Sequence, residues 1–99
     1  MLITIPKHKL VRLHGQAMRE LNLAIHERDH YQCIICGAYV PLEEKFHHEP
    51  NGAGRKSDEI TKGVCLCGKH HYIRHNKPEG IEIKVKCEEY LEAVNNASD

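Results

Sequence analysis

The chain has 99 residues, of which nine are histidine and five are cysteine, and its 14 basic residues balance its 14 acidic ones. A chain of this length forms one domain with a modest core, and small domains often need a metal or a disulfide to hold them together. The zero net charge lacks the basic excess that is typical of nucleic-acid binders. No segment has the apolar length of a membrane span.

The N-terminal residues Met1 to Pro6 are too short a stretch, and too soon interrupted, to be a signal peptide. We therefore expect a reducing, cytoplasmic environment, where paired cysteines are more often metal or redox sites than disulfides. A helix is predicted next, over residues 9–28, because apolar residues recur at steps of three and four. Gly15 and Asn22 weaken this pattern, which leaves open one broken helix or two.

The segment from Cys33 to Gly37 has the form of a zinc knuckle, with two cysteines three residues apart and a glycine after them. A short strand is predicted around residues 45–49, a loop over 51–58 and a second short strand over 62–67. A helix should begin at residue 68 or 69 and end near 75. From residue 81, strand-like alternation competes with a helical repeat; length and composition favour a helix, with a frayed tail over 95–99.

A second pair with the same spacing, Cys67 and His70, gives a four-ligand set suited to structural zinc. The set is Cys33, Cys36, Cys67 and His70. Cys65 is a rival ligand, because residues two apart on a strand share a face. For Cys87, and also for Cys65, the competing interpretation is a small buried apolar residue.

The remaining histidines divide by geometry. His71 and His75 lie one helical turn apart, so they share a face and can chelate one ion. His70 points about 100° away around the same helix, which assigns it to a different site. On a strand, His47 and His48 face opposite sides, so one can bind a metal while the other deprotonates water. Four histidines are interpreted as surface or capping residues: His8, His14, His26 and His30.

Four segments together resemble the HNH endonuclease family, also called ββα-metal or His-Me finger nucleases, in its zinc-knuckle subgroup. They are Arg28 to Gly37, His47 to Pro50, Gly52 to Asp58, and Leu66 to His71 with His75. The resemblance implies an α+β fold with a small ββα-metal core over residues 29–76, held together by structural zinc. A helical segment over 1–28 and a C-terminal helix over 77–99 flank this core within one domain.

The resemblance further implies a metal-dependent endonuclease that hydrolyses DNA phosphodiester bonds with little sequence specificity. His48 would be the general base. The catalytic ion would be Mg²⁺, Mn²⁺ or another divalent transition metal, held by His47, His71 and His75. Structural Zn²⁺ would be held by Cys33, Cys36, Cys67 and His70. Phosphate contacts would come from Arg55, Lys56 and Arg74. The expected partner is double-stranded DNA, bound by a monomer or homodimer, and no membrane is involved.

The sequence departs from the family at its middle Asn, which falls near Lys62, where this chain has Thr61-Lys62. Lys62 or a backbone carbonyl is then the candidate to orient His48. Two other functions are open at this point. One is a non-catalytic zinc module that binds nucleic acid or a protein partner. The other is a CxxC thiol oxidoreductase, which lacks the expected βαβ context.

Overall fold

The computed structural model describes residues 10–50 and 56–97, and it confirms the predicted α+β class. Three helices and one two-stranded antiparallel sheet make up the regular structure in these ranges. The helices are α1 (Gly15–Arg28), α2 (Gly68–Asn76) and α3 (Gly80–Ala97), and the strands are β1 (His47–His48) and β2 (Gly63–Val64). None of the helices in the described ranges is long and apolar enough to cross a membrane.

Helix α1 begins at Gly15, so the predicted start near Lys9 is wrong and one helix forms. Gly15 has a φ of +55°, a left-handed conformation that interrupts a regular helix and is open to glycine. Residues 10–14 precede it as a non-helical segment. Their backbone bonds instead to the segment 56–58, where the Asp58 N–H donates to the carbonyl of Val11 at 2.9 Å. Leu10 and Leu13 therefore match the apolar spacing of α1 without belonging to it.

The tight turn predicted after Cys36 is present. Gly37 has a φ of +79°, and its N–H donates to the Cys33 carbonyl at 2.8 Å. The Cys33 N–H in turn donates to the Ala38 carbonyl at 2.8 Å. These bonds fold the chain back on itself, so that Cys33 and Cys36 are presented by one compact turn.

The sheet is shorter than the predicted strands, and its register pairs His47 with Val64 and His48 with Gly63. A 3-10 turn, Ile60–Lys62, leads into β2. Gly63 is required where the strand meets the core, because a Cβ there would lie 2.6 Å from the Ile25 side chain. This close approach places β2 against α1, and β1 with its two histidines is held there by pairing with β2.

Helix α3 forms where the sequence allowed either a strand or a helix. Its buried face includes Ile83, Cys87 and Leu91, whereas Ile81 and Val85 remain exposed. Cys87 and Cys65 are both fully buried in the apolar core, which confirms their interpretation as small core residues. The core is completed by Ile25, Cys33, Val40, Phe46, Val64 and Leu66.

A buried carboxylate joins α1, the end of β2 and α3. Asp29 accepts two bonds from Arg28, at 2.7 and 3.0 Å, one from the Cys65 N–H at 2.9 Å and one from the Tyr90 hydroxyl at 2.5 Å. Burial, and then the bond to Asp29, raises the pKa of Tyr90 to about 12, so the hydroxyl keeps the proton that it donates. The carboxylate thus has a donor for each of its lone-pair positions.

We expect Asp29→Asn to lower the free energy of unfolding by about 3 kcal/mol, because removing one partner of a buried ion pair leaves the other uncompensated. Urea unfolding measures this. Glu92→Gln makes the same chemical change at an exposed position on α3 and should cost less than about 0.5 kcal/mol. Equal effects from the two substitutions would contradict the role assigned to Asp29.

Candidate metal centres

Three thiols and one imidazole converge where the Cys33–Gly37 turn meets the start of α2. Their donor atoms all lie within 4.8 Å of one another, and the set is the predicted one: Cys33, Cys36, Cys67 and His70. The Nδ1 atom of His70 is 3.3 Å from the Cys67 sulfur and 3.8 Å from the Cys33 sulfur, and the sulfurs of Cys36 and Cys67 are 3.9 Å apart. This thiol cluster could hold a metal ion. All five cysteines are free thiols.

The thiol cluster takes its shape from local structure at two places. Cys67 is the residue before α2 and His70 is in its first turn, so the helix start presents both. A backbone hydrogen bond from Ala38 lowers the pKa of Cys36, which favours the thiolate that binds metal. Cys65, the rival ligand, is in the core and outside the cluster.

A second cluster brings β1 and α2 together through three imidazoles. The donor atoms of His47, His71 and His75 lie within 4.8 Å of one another, and the ring centroids are 4.8 to 5.2 Å apart. His47 is buried, His71 is half-buried and His75 is exposed, so this histidine cluster opens to solvent on one side. His70 is in the thiol cluster, so α2 separates the adjacent histidines as its geometry predicts.

Glu49 determines which nitrogen of His47 is available. The Nε2 atom of His47 is 2.9 Å from Oε1 of Glu49, and both side chains are buried. Burial tends to raise the pKa of Glu49, but bonds from His47 and Arg74 outweigh it and lower the pKa to about 2. An ionised carboxylate only accepts, so Nε2 of His47 carries the hydrogen and the lone pair of a neutral ring is on Nδ1. A carboxylate behind a ligating histidine is the usual support of a metal site.

The electrostatics of the cluster keep its helical members neutral. Burial, reinforced by the imidazoles of His47 and His75, lowers the pKa of His71 to about 4. Burial and the nearby His47 also lower the pKa of His75. Neutral imidazoles are the form that binds a cation.

His48 is held by a carboxylate that the sequence did not single out. Its Nε2 atom is 2.8 Å from Oδ1 of Asp58, and its ring packs on Phe46 with centroids 4.8 Å apart. The expectation that Lys62 or a carbonyl orients His48 is therefore wrong. The Lys62 carbonyl accepts from the Glu49 N–H instead, at 3.0 Å.

Burial lowers the pKa of His48, with Lys45 and Lys56 adding to the effect and Asp58 opposing it. Partial burial works to raise the pKa of Asp58, but bonds from the Leu13 N–H and from His48 prevail and lower it. Asp58 is thus ionised and accepts from Nε2, which leaves Nδ1 of His48 with the lone pair. A neutral imidazole with a fixed lone pair can accept a proton.

One open cleft contains both histidines of β1. Its lining residues are Lys45, Phe46, His47, His48, Lys56, His71 and His75. Lys56 is a predicted phosphate contact, whereas Lys45 was not singled out. Arg74, another predicted phosphate contact, pairs with Glu49: its Nε and Nη2 donate to the two carboxylate oxygens at 3.0 and 2.9 Å. Arg55 and the glycines before it lie outside the described residues.

The histidines interpreted as surface or capping residues differ in their burial. His26 is fully buried, so that interpretation is wrong for it: its two ring nitrogens are 2.8 and 3.1 Å from the carbonyls of Asn22 and Pro41. His14 is exposed before α1 and makes no side-chain capping bond. His30 is exposed, and His8 lies outside the described residues.

Comparisons of the chain with protein-family models, with curated proteins and with solved structures found no match.

Metal binding at the histidine cluster should depend less steeply on pH than metal binding to three ordinary imidazoles. Three ordinary imidazoles would release about 2.7 protons on binding Ni²⁺ at about pH 5.5. His71, with its pKa lowered to about 4, is already neutral there, so we expect release of about two protons or fewer. The affinity should accordingly fall less steeply than for ordinary imidazoles as the pH drops from about 7.5 to 5.5.

Calorimetry in two buffers of different ionisation enthalpy counts these protons. The thiol cluster is first loaded with one equivalent of Zn²⁺, and His71→Ala is titrated beside the unaltered chain to show that the heat comes from the histidine cluster. A proton count near that of three ordinary imidazoles would contradict the neutral state assigned to His71.

Proposed function

We propose that the chain is a metal-dependent DNA endonuclease of the HNH, or ββα-metal, type. One observation carries the proposal: a histidine with a fixed, neutral proton-accepting nitrogen shares a cleft with a cluster of three further imidazoles. The first is His48, paired with Asp58, and the others are His47, His71 and His75. Phosphodiester hydrolysis needs both elements, a base for water and a cation for the phosphate.

The order of elements supports a ββα-metal core. Strand β1 carries His47 and His48, β2 pairs with it in antiparallel register, and α2 follows β2 with His71 and His75 facing β1. The three elements that would build such a core are therefore consecutive, and each of the outer two supplies ligands to one cluster. Helices α1 and α3 pack around this unit.

The thiol cluster fits structural zinc. A tetrahedral Zn²⁺ with Zn–S and Zn–N bonds of the usual length requires about 3.8 Å between sulfurs and about 3.5 Å between sulfur and nitrogen. Cys36 and Cys67 have sulfurs 3.9 Å apart, and His70 Nδ1 lies 3.3 and 3.8 Å from two sulfurs. Four ligands fill a tetrahedral shell and leave no position for substrate, which is typical of structural sites.

The histidine cluster fits a catalytic divalent ion. Three imidazole ligands leave positions open for water and substrate, and imidazole suits Mn²⁺, Co²⁺, Ni²⁺ or Zn²⁺ better than Mg²⁺. When bound, such an ion supplies Lewis-acid polarisation of the scissile phosphate and neutralises charge on the leaving oxygen. Glu49 keeps the His47 ring in the orientation and tautomer that ligation needs.

The chemical step assigned to the chain itself is proton removal. Nδ1 of His48 accepts a proton from water as the water oxygen attacks phosphorus and the bond to the 3′ oxygen breaks. The departing 3′ oxygen takes a proton from solvent, and the products are a 5′-phosphate and a 3′-hydroxyl. Lys45 and Lys56 line the same cleft and are candidates to bind the flanking phosphates. Phosphate contacts do not distinguish one base from another, so we expect little sequence preference. One catalytic unit cuts one strand at a time.

His48→Ala should reduce nicking of supercoiled plasmid by about 10²- to 10⁴-fold, the range for loss of a general base. The assay contains Mn²⁺, with EDTA as the metal-free control. His14→Ala, at an exposed histidine outside both clusters, serves as the matched variant and should nick normally.

Unchanged nicking by His48→Ala would contradict the base assignment. An unaltered chain that fails to nick with any divalent transition metal, and that binds a single metal ion, would favour the alternative of a non-catalytic zinc module. The balanced charge of the chain favours this alternative, because nucleic-acid-binding proteins usually carry a basic excess.

Zinc removal should destabilise the whole domain, because Cys33 is both a ligand and a core residue. We expect Cys33→Ser to bind Zn²⁺ weakly and to unfold at a lower temperature than the unaltered chain, and chelation should have the same effect on the unaltered chain. Thermal unfolding with and without Zn²⁺ measures both. Cys87→Ser, a buried cysteine outside the thiol cluster, is the control: it should retain the Zn²⁺-dependent part of the stability. A normal melt of the zinc-free chain would contradict the structural role.

A further inference from the structure

We infer that Asp58 is a positioning residue for His48, and that the N-terminal segment, residues 10–13, holds Asp58 in place. The inference rests on the proposed function and extends it. The segment lies outside the predicted ββα-metal core, yet it would determine whether the base nitrogen of His48 is available. No contact between the segment and a metal ligand is needed for this effect.

Both oxygens of Asp58 are engaged, and by different parts of the chain. Oδ1 accepts from Nε2 of His48 at 2.8 Å, and Oδ2 accepts from the backbone N–H of Leu13 at 2.8 Å. Asp58 is only 8% exposed, so little solvent competes for either bond. A backbone N–H is a rigid donor compared with a side chain, and it fixes the plane of the carboxylate that His48 meets.

Three more hydrogen bonds attach the N-terminal segment to the chain around Asp58. The Val11 N–H donates to the Ser57 hydroxyl at 2.9 Å, and the Val11 carbonyl accepts from the Asp58 N–H at 2.9 Å. The Arg12 guanidinium donates to the Lys56 carbonyl at 2.8 Å. Ser57 is almost fully buried, at 1% exposed. Four hydrogen bonds therefore join residues 11–13 to residues 56–58, and Asp58 takes part in two of them.

The consequence for His48 concerns which nitrogen carries the hydrogen. A carboxylate at Nε2 selects the Nε2–H tautomer and leaves the Nδ1 lone pair facing away from Asp58. An amide in the same place can donate to Nε2 instead, which would move the hydrogen to Nδ1. In a histidine-dependent hydrolase, replacing the orienting Asp by Asn keeps the geometry but selects the wrong tautomer, with a loss of about 10⁴-fold in kcat.

The test is Asp58→Asn, read in two ways. ¹⁵N NMR of the Zn²⁺-loaded chain reports the tautomer of His48, whose signals are assigned by their absence in His48→Ala. We expect the unaltered chain to show Nε2–H and Asp58→Asn to show Nδ1–H. In plasmid nicking with Mn²⁺, kcat should fall by about 10²-fold or more, with KM for DNA within about twofold. Glu92→Gln, an exposed carboxylate on α3, should change neither reading.

A second variant separates the N-terminal segment from Asp58 itself. Ser57→Ala removes the acceptor of the Val11 N–H and also the bond that the Ser57 hydroxyl donates to Glu59, and it keeps the Asp58 carboxylate. Only the first of these two bonds reaches the N-terminal segment. We expect its kcat to fall by about 3- to 10-fold, a loss of the size of one hydrogen bond, with the Nε2–H tautomer still the major form. This variant also keeps the inference testable should Asp58→Asn fail to fold.

The outcomes are distinct. An Nε2–H tautomer that persists in Asp58→Asn overturns the inference, and so does a tautomer change with an unaltered kcat. Normal kcat in Ser57→Ala overturns the part assigned to the N-terminal segment. The tautomer reading needs no enzyme activity: if the tautomer changes as expected but the unaltered chain nicks no DNA, the proposed function fails while the control of His48 by Asp58 stands.

Discussion

The position of α2 is the constraint on which both metal clusters depend. The helix begins directly after Cys67, and its first turn carries His70, so the thiol cluster fixes where the helix starts and how it is rotated. One residue later, His71 points about 100° away, toward β1. Any ion that holds Cys67 and His70 therefore also orients His71 and His75, although it contacts neither. In the proposed function, an ion in the thiol cluster would thus influence the cleft through the stiffness of a helix of nine residues.

A second attachment of α2 works without a metal. Arg74 donates two bonds to the carboxylate of Glu49, which also accepts from His47. This pair links the last turn of α2 to the residue next to β1, just as the thiol cluster links the first turn to the Cys33–Gly37 turn. Glu49 is buried, so the pair loses much hydration, and two partners compensate for that loss. The separation between His47 and the helical histidines is thereby set at both ends of α2.

The relations that could be predicted from the sequence are those within one element. Spacings of three and four residues on a turn or helix fix relative directions, so each cluster's local pairs were foreseeable. Contacts between distant segments of the chain have no regular spacing in the sequence. Asp58 meets His48 across ten residues and Leu13 across 45, and neither spacing has a period. Leu13 has the apolar spacing of a helical residue, but α1 begins two residues after it, at Gly15.

The contact of Glu49 with His47, unlike that of Asp58 with His48, has a spacing that the sequence could reveal. The two residues are two apart, and a strand places such residues on one face. The carboxylates of Glu49 and Asp58 nevertheless have the same effect on the tautomers of His47 and His48. Each accepts from Nε2 and leaves Nδ1 as the available nitrogen, so His47 and His48 share a tautomer while they serve different atoms. The different roles proposed for them therefore rest on their surroundings: the imidazoles of His71 and His75 lie beside His47, whereas Phe46 and two lysines lie near His48. A base beside cationic groups stays neutral and ready to accept a proton, which is the state that hydrolysis at a phosphate requires.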